Sequence, residues 1–174
     1  MIYFTSDLHL GHGNIIKHCT RPFRDADEMD AALIKNWRAR VTDADTVYIL
    51  GDLFFRSAYD HAGVLKQLPG VKHLIVGNHD KNWMKRVSLP EYFASVQPAL
   101  KITHEGNKLL LCHCPALEFN ADYMVHGHVH NNRSDENWPK FKALENVLNA
   151  GVEINNYMPV TFEELKANNA LFRL

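Results

Sequence analysis

Val71-Lys72-His73-Leu74-Ile75-Val76, running into Gly77-Asn78-His79-Asp80, is the stretch whose reading decides the fold. The first six residues are a short apolar run rich in β-branched side chains, which predicts a buried strand. The next four leave an amide, an imidazole and a carboxylate on a tight loop at the strand's carboxyl end. In open α/β sheets that edge is where ligands bind. Gly, Asn and Asp are also the usual turn formers, so the four residues alone read equally well as a polar turn. What decides between the readings is recurrence: a strand followed by ligand-type residues comes four more times.

Working outward, Met1–Ser6 reads as a first strand that delivers Asp7-Leu8-His9-Leu10-Gly11-His12-Gly13. A carboxylate and an imidazole two residues apart leave an extended strand end on the same side. Thr46–Leu50 reads as a second strand, ending in Gly51-Asp52. Between them, Asp25 and Glu28 resemble a capping box, and Met29, Leu33 and Trp37 mark the core stripe of a helix. Ala58–Leu68 reads as a shorter helix closed by Pro69-Gly70. The order strand, helix, strand, helix, strand predicts a parallel sheet with crossover helices.

Lys81–Val87 is expected to be a loop or short helix, and from Pro90 onward the texture becomes stranded. Phe93–Gln97, Ala99–His104 and Lys108–Cys112 read as strands, with a hairpin turn at Glu105-Gly106-Asn107. The last of these ends in His113-Cys114-Pro115, and Tyr123–His126 leads into Gly127-His128-Val129-His130. Asn131–Lys140 reads as a polar loop and Phe141–Val152 as a further stranded region. Thr161 with Glu164 predicts a capped final helix, Phe162–Leu171. No repeat, low-complexity tract or linker interrupts the 174 residues, so one domain spanning 1–174 is expected.

Composition narrows the function classes. Net charge is -1, with no global electrostatic case for nucleic acid or a membrane surface. No apolar run approaches the ~20 residues that span a bilayer, and the amino terminus shows no basic stretch or signal core. A cytoplasmic location is therefore expected. The three cysteines, Cys19, Cys112 and Cys114, are too few for a disulfide framework. Cys112-His113-Cys114 lacks a second cysteine pair to complete a structural zinc tetrahedron, so buried strand-end cysteines are expected.

Five strand ends thus carry Asp7/His9, Asp52, Asn78/His79, His113 and His128/His130. Carboxylate, imidazole and amide oxygen together suit divalent transition metals, and Mn, Fe, Zn, Ni and Co all accept such ligands. The groups are too many for one ion, whereas two ions sharing a carboxylate would use them. Paired metals of this kind activate water and stabilise charge in phosphoryl chemistry.

The ordered set Asp7-x-His9, Gly51-Asp52, Gly77-Asn78-His79-Asp80, His113 and Gly127-His128-x-His130 resembles the calcineurin-like metallophosphoesterase family. Ser6 through Asn14-Ile15-Ile16 and Arg21-Pro22-Phe23 look like its small bacterial and phage-type branch. The resemblance implies an α/β fold, a four-layer β-sandwich flanked by helices with a dinuclear metal site at the strand ends. It implies Asp7, His9 and His130 on one divalent ion, Asn78, His113 and His128 on the other, and Asp52 bridging. It implies a catalytic His79 facing the scissile phosphate to assist the leaving group, with Asp80 orienting that imidazole. The implied activity is hydrolysis of phosphoesters by a metal-bridging hydroxide. A phosphodiesterase, on nucleotides or cyclic nucleotides, is favoured over a phosphomonoesterase because so short a chain leaves little for a capping domain.

His12, Arg21 and Arg56 follow ligand blocks closely and are candidate substrate contacts, with a surface charge or a loop anchor as the alternative. His126 reads as either a support for the ligands or a core residue. His18, His61, His73 and His104 have no ligand context. A protein-binding scaffold on the same fold is disfavoured because every expected ligand is present. Lys81, Trp83, Lys85 and Arg86 form a basic-aromatic cluster beside the site that would suit a nucleotide or single strand.

Overall fold

The computed structural model describes residues 1–55 and 59–174. Two four-stranded sheets form the centre, in the orders β1-β2-β3-β4 and β5-β6-β7-β8. The first comprises β1 (Ile2–Thr5), β2 (Thr46–Ile49), β3 (Val71–Ile75) and β4 (Ser95–Gln97), all parallel. The second comprises β5 (Ala99–His104), β6 (Asn107–Cys112), β7 (Tyr123–His126) and β8 (Val147–Asn149). Only its β5–β6 pair is antiparallel. That pair is a hairpin whose loop residues Glu105 and Gly106 both take positive φ, 50° and 78°. Two positive φ values in a two-residue loop match the twist of the flanking strands.

The alternation of strand side chains builds two cores. Tyr3, Val47, Ile49 and Leu74 face outward from the first sheet and meet Met29, Leu33 and Trp37 of α2 (Ala26–Arg40) and Val64 and Leu65 of α3 (His61–Gln67). Phe4, Leu50 and Ile75 face the other way, onto Leu109, Leu111, Val125 and Leu148 of the second sheet. Phe162 and Leu165 of the last helix join this second core. At ~25 cal/mol per Å² of apolar surface, these continuous cores are the main stabilising term. The outer face of the second sheet has thinner cover: a short helix over Trp138–Ala143 brings Phe141 to 6.2 Å from the His126 ring.

Numbered in chain order, the helices are α1 (Gly13–His18), α2, α3, α4 (Trp138–Ala143) and α5 (Phe162–Arg173). Helix α5 has the full capping box expected from Thr161 and Glu164. On α2 the box is half formed: Asp25 accepts from the Glu28 N–H at 2.9 Å, but the Glu28 carboxylate turns to the Arg24 N–H. The expected start of α3 at Ala58 lies outside the described residues.

Residues 131–152 depart most from expectation. The polar loop ends at Trp138, where α4 begins with Pro139 in its first turn, a position whose lost N–H costs a helix nothing. The stranded region shrinks to Val147–Asn149, followed by a 3₁₀ turn over Val152–Ile154. Among the described residues no helix is long and apolar enough to cross a membrane.

Candidate metal centre

The loops leaving β1 and β2 continue side by side beyond the strands. Asp7 N–H donates to Gly51 O, His9 N–H to Asp52 O and Leu10 N–H to Leu53 O, each at 3.0 Å. This pairing presents Asp7, His9 and Asp52 together. The approach requires glycine: a Cβ on Gly51 would lie 2.6 Å from His113 Nδ1, and Gly51 itself has φ +88°. The Gly127-His128 loop is drawn in from the second sheet by the His128 N–H, which donates to Asp7 Oδ2 at 2.9 Å.

All seven expected ligands meet at this edge. Asp52 Oδ2 lies 3.6 Å from His9 Nε2 and 3.4 Å from His113 Nε2, between the two groups of ligands. On one side, ligand atoms of Asp7, His9 and His130 lie within 4.8 Å of one another. On the other, Asn78 Oδ1 sits 2.9 Å from His113 Nε2 and 3.0 Å from His128 Nδ1.

Five of the seven, Asp7, His9, Asp52, His128 and His130, have left-handed backbones with φ between 49° and 74°. Asp and His tolerate this region better than most residues, but it still disfavours a side chain. Such conformations persist where surrounding structure imposes them, and here they gather at one point.

Supporting groups set the ring orientations. His113 Nδ1 is 2.7 Å from Leu50 O, so that nitrogen carries the proton and Nε2 faces the centre. His130 Nδ1 contacts Glu153 Oε1 at 2.8 Å, which turns its Nε2 toward Asp7. Glu153 in turn receives the Arg21 guanidinium at 2.6 and 3.1 Å.

The electrostatics follow from crowding buried charges. Burial pushes Asp7 up to about 6, only partly offset by His130 and His113. Burial, with His130 nearby, drives His9 down to about 2, so its imidazole is neutral. Burial works against ionised Asp52 too, yet the hydrogen bond and charge of His113 win and hold it at about 2. Burial likewise opposes protonated His113, and Asp52 and Asp7 overcome it, raising it to about 9.

These residues fit divalent cations. Both ring nitrogens of His9 are buried without any hydrogen-bond partner, an arrangement that costs energy unless something accepts the lone pair. A neutral imidazole with an unshared nitrogen beside an ionised Asp52 is a donor set that suits a divalent cation.

Three expected roles change. Asp80 does not orient His79: its carboxylate accepts from Asp52 N–H, Leu53 N–H, Gly77 N–H and Trp83 Nε1–H, at 2.7 to 3.0 Å. Those four bonds fill its acceptor positions, so it ties the Gly51-Asp52 loop to the Gly77-Asn78 loop instead. Arg21 is buried and donates to Leu8 O, Asp7 O and Glu153, making it the loop anchor and no substrate contact. Trp83, 1% exposed and bonded to Asp80, offers no stacking face, which removes the aromatic member of the expected basic-aromatic cluster.

His79 and His12 remain at the rim. The His79 N–H donates to Asp52 Oδ1 at 2.9 Å, and its exposed ring sits 5.4 Å from that of His9. His12 stacks on Phe55 with centroids 3.5 Å apart. Arg56 lies outside the described residues. His126 is buried against Gly127 O, supporting the His128 loop. His61 is also buried, stacked near Trp83, and His73 Nδ1 contacts Ser95 Oγ. Glu153 and Phe55 had no place in the sequence reading. A signal for Glu153 existed, since Gly151-Val152-Glu153 follows strand β8 as Gly51-Asp52 follows β2. The cysteines also differ: Cys19 is buried, but Cys112 is half-buried and Cys114 exposed.

No family model matches the chain. The uncharacterized protein MJ1445 of Methanocaldococcus jannaschii is 37% identical over 167 residues, covering 93% of this chain and 87% of that one. The crystal structure of AQ665 from Aquifex aeolicus, a protein of unknown function, is 30% identical with a TM-score of 0.76, covering 96% and 98% of the two chains. The Gene 66 protein of Mycobacterium phage L5 is 44% identical over 81 residues, 45% of this chain and 39% of that one. The chain belongs to the same family as MJ1445, and it shares its fold with AQ665 along almost the whole length of both chains.

Proposed function

We propose that the protein is a metal-dependent phosphoesterase acting with two divalent ions, and that it prefers phosphodiesters of nucleotides. The observation that carries this reading is Asp52 Oδ2, set between His9 Nε2 and His113 Nε2 while both His9 ring nitrogens lack partners. When bound, such ions supply Lewis acidity, lowering the pKa of water and neutralising charge on a phosphoryl group.

Asp7, His9 and His130 would hold one ion and Asn78, His113 and His128 the other, with Asp52 shared. His79 stands at the rim beside His9, and its main chain is held by Asp52. Its role is to protonate the departing oxygen. Asp80 keeps the Asn78-His79 loop in register with the Asp52 loop. Phe55, 42% exposed with its ring 5.1 Å from that of His79, supports a substrate bearing a base. Stacking on such a ring is worth ~1–3 kcal/mol per base.

The test is hydrolysis of mono-, di- and cyclic phosphoesters by protein stripped of metal and reloaded with Mn, Fe, Zn, Ni or Co. Metal-dependent cleavage of nucleotide diesters is expected. Preference for monoesters would turn the reading to a phosphatase, and no hydrolysis with any metal would end it. His79→Ala should keep its metal and lose ~10²–10⁴-fold in kcat/KM on esters of poor leaving groups. Nitrophenyl esters should lose less. Equal losses across the leaving groups would make His79 a phosphate-positioning residue.

A further inference from the structure

The sequence places Cys114 among buried structural cysteines, but the structure puts it on the surface, beside the half of the centre formed by Asn78, His113 and His128. We infer that Cys114 is a thiolate ligand of the ion in that half, biasing it toward softer cations such as zinc or cobalt over manganese. This rests on the proposed metal centre and adds a donor that the five motif blocks do not contain.

Geometry carries the inference. The Cys114 sulfur and ligand nitrogens of His113 and His128 all lie within 4.8 Å of one another. With metal–sulfur and metal–nitrogen bonds near 2.3 and 2.1 Å, two ligands of one ion are at most about 4.4 Å apart. Rotation about χ1 of the exposed Cys114 side chain swings its sulfur between staggered positions and can bring it to such a separation.

The surroundings are already ordered for this. The His113 Nδ1–H donates to Leu50 O, which leaves Nε2 facing Asn78 Oδ1, where His128 Nδ1 also points. The Gly127 N–H donates to His113 O at 2.9 Å, tying the two histidine-bearing loops together. Pro115 confines the Cys114 backbone to extended conformations, so the direction of its Cα–Cβ bond is restricted before any ion arrives.

The chemistry differs from that of an all-nitrogen-and-oxygen site. A thiolate strengthens binding of zinc and cobalt far more than of manganese, whose preference is for oxygen. The other thiol near the centre is Cys19, with ligand atoms close to His130 and Glu153 in the opposite half, and it serves as the internal control.

The experiment uses the full chain, stripped with a chelator and reloaded with cobalt(II), read by absorption and by metal analysis. The parent should show a thiolate-to-cobalt charge-transfer band in the near ultraviolet. Cys114→Ser should lose the band while still binding cobalt, and Cys19→Ser should keep it. In competition, Cys114→Ser should lower the zinc-over-manganese preference by at least about tenfold. Cobalt bound by the parent without a band, or a band removed by Cys19→Ser instead, would overturn the assignment while leaving the centre standing. Failure of the parent to bind cobalt at all would remove the centre as well.

Discussion

The two halves of the centre are built from the same residue types but by different means. Asp7 and His9 are fully enclosed, and behind His130 stands a buried Arg21–Glu153 ion pair at 2.6 Å. Asn78 and His128 are exposed, and His113 is held from below by one carbonyl, Leu50 O. The enclosed half is a rigid socket whose cost is charge burial. The open half faces solvent, where a substrate and a further ligand can enter. Within one site, rigidity and access are divided between two halves.

Asp52→Asn should have the largest effect, because Asp52 Oδ2 lies between His9 Nε2 of one half and His113 Nε2 of the other. Turnover should fall to background, and bound metal should drop from two ions toward one or none. Two retained ions with near-normal turnover, measured by elemental analysis and kinetics, would show that the halves are not joined through Asp52.

Next in size is Arg21→Ala, which strikes only the enclosed half. It strips buried Glu153 of its guanidinium partner and leaves the His130 ring beside it, and removing one partner of a buried pair costs up to about 3–5 kcal/mol. Denaturant unfolding should register that loss. A variant as stable as the parent would mean that the enclosed half does not depend on its ion pair.

The smallest effect concerns pH and separates the supports of the two halves. Glu153 is held at about 2: burial alone would raise it, but His130 and Arg21 outweigh that. Its folded value is depressed from 4.5, so its contribution is full above that pH and is lost progressively as pH falls toward about 2. His126, under the open half, is pushed by burial from 6.5 to about 4. Neutral His126 thus contributes stability above pH 6.5 that is lost as pH falls toward 4, up to about 3 kcal/mol. His126→Gln should flatten the slope of unfolding free energy against pH in that window for the metal-free protein. An unchanged slope would assign the acid sensitivity to other groups.

Much of this was legible in the chain because apolar runs and their terminal polar residues are local signals. The strands before Asp7, Asp52, Asn78, His113 and His128 could be read from periodicity, and so could the stripe of α2. Residues 138–152 could not. Phe141, Leu144, Val147 and Leu148 suit a strand or a helix equally, and the six residues of α4 are too few for a helical period to emerge. Asp80 has the look of an acid partner for His79 because they are adjacent, yet adjacent residues on a turn point different ways. Arg21 and Glu153 are 132 positions apart, and no local pattern announces a pair that only the closed sandwich brings together.

The left-handed backbones at Asp7, His9, Asp52, His128 and His130 also bear on how this chain changes over generations. Each such conformation disfavours a side chain by roughly 1–2 kcal/mol relative to glycine. Replacement of any of these five by glycine relieves strain as it deletes a ligand. The strain relieved offsets part of what the lost side chain contributed, so a copy of this fold can lose the centre at a reduced cost in stability, and glycine at these positions in a descendant would record that loss.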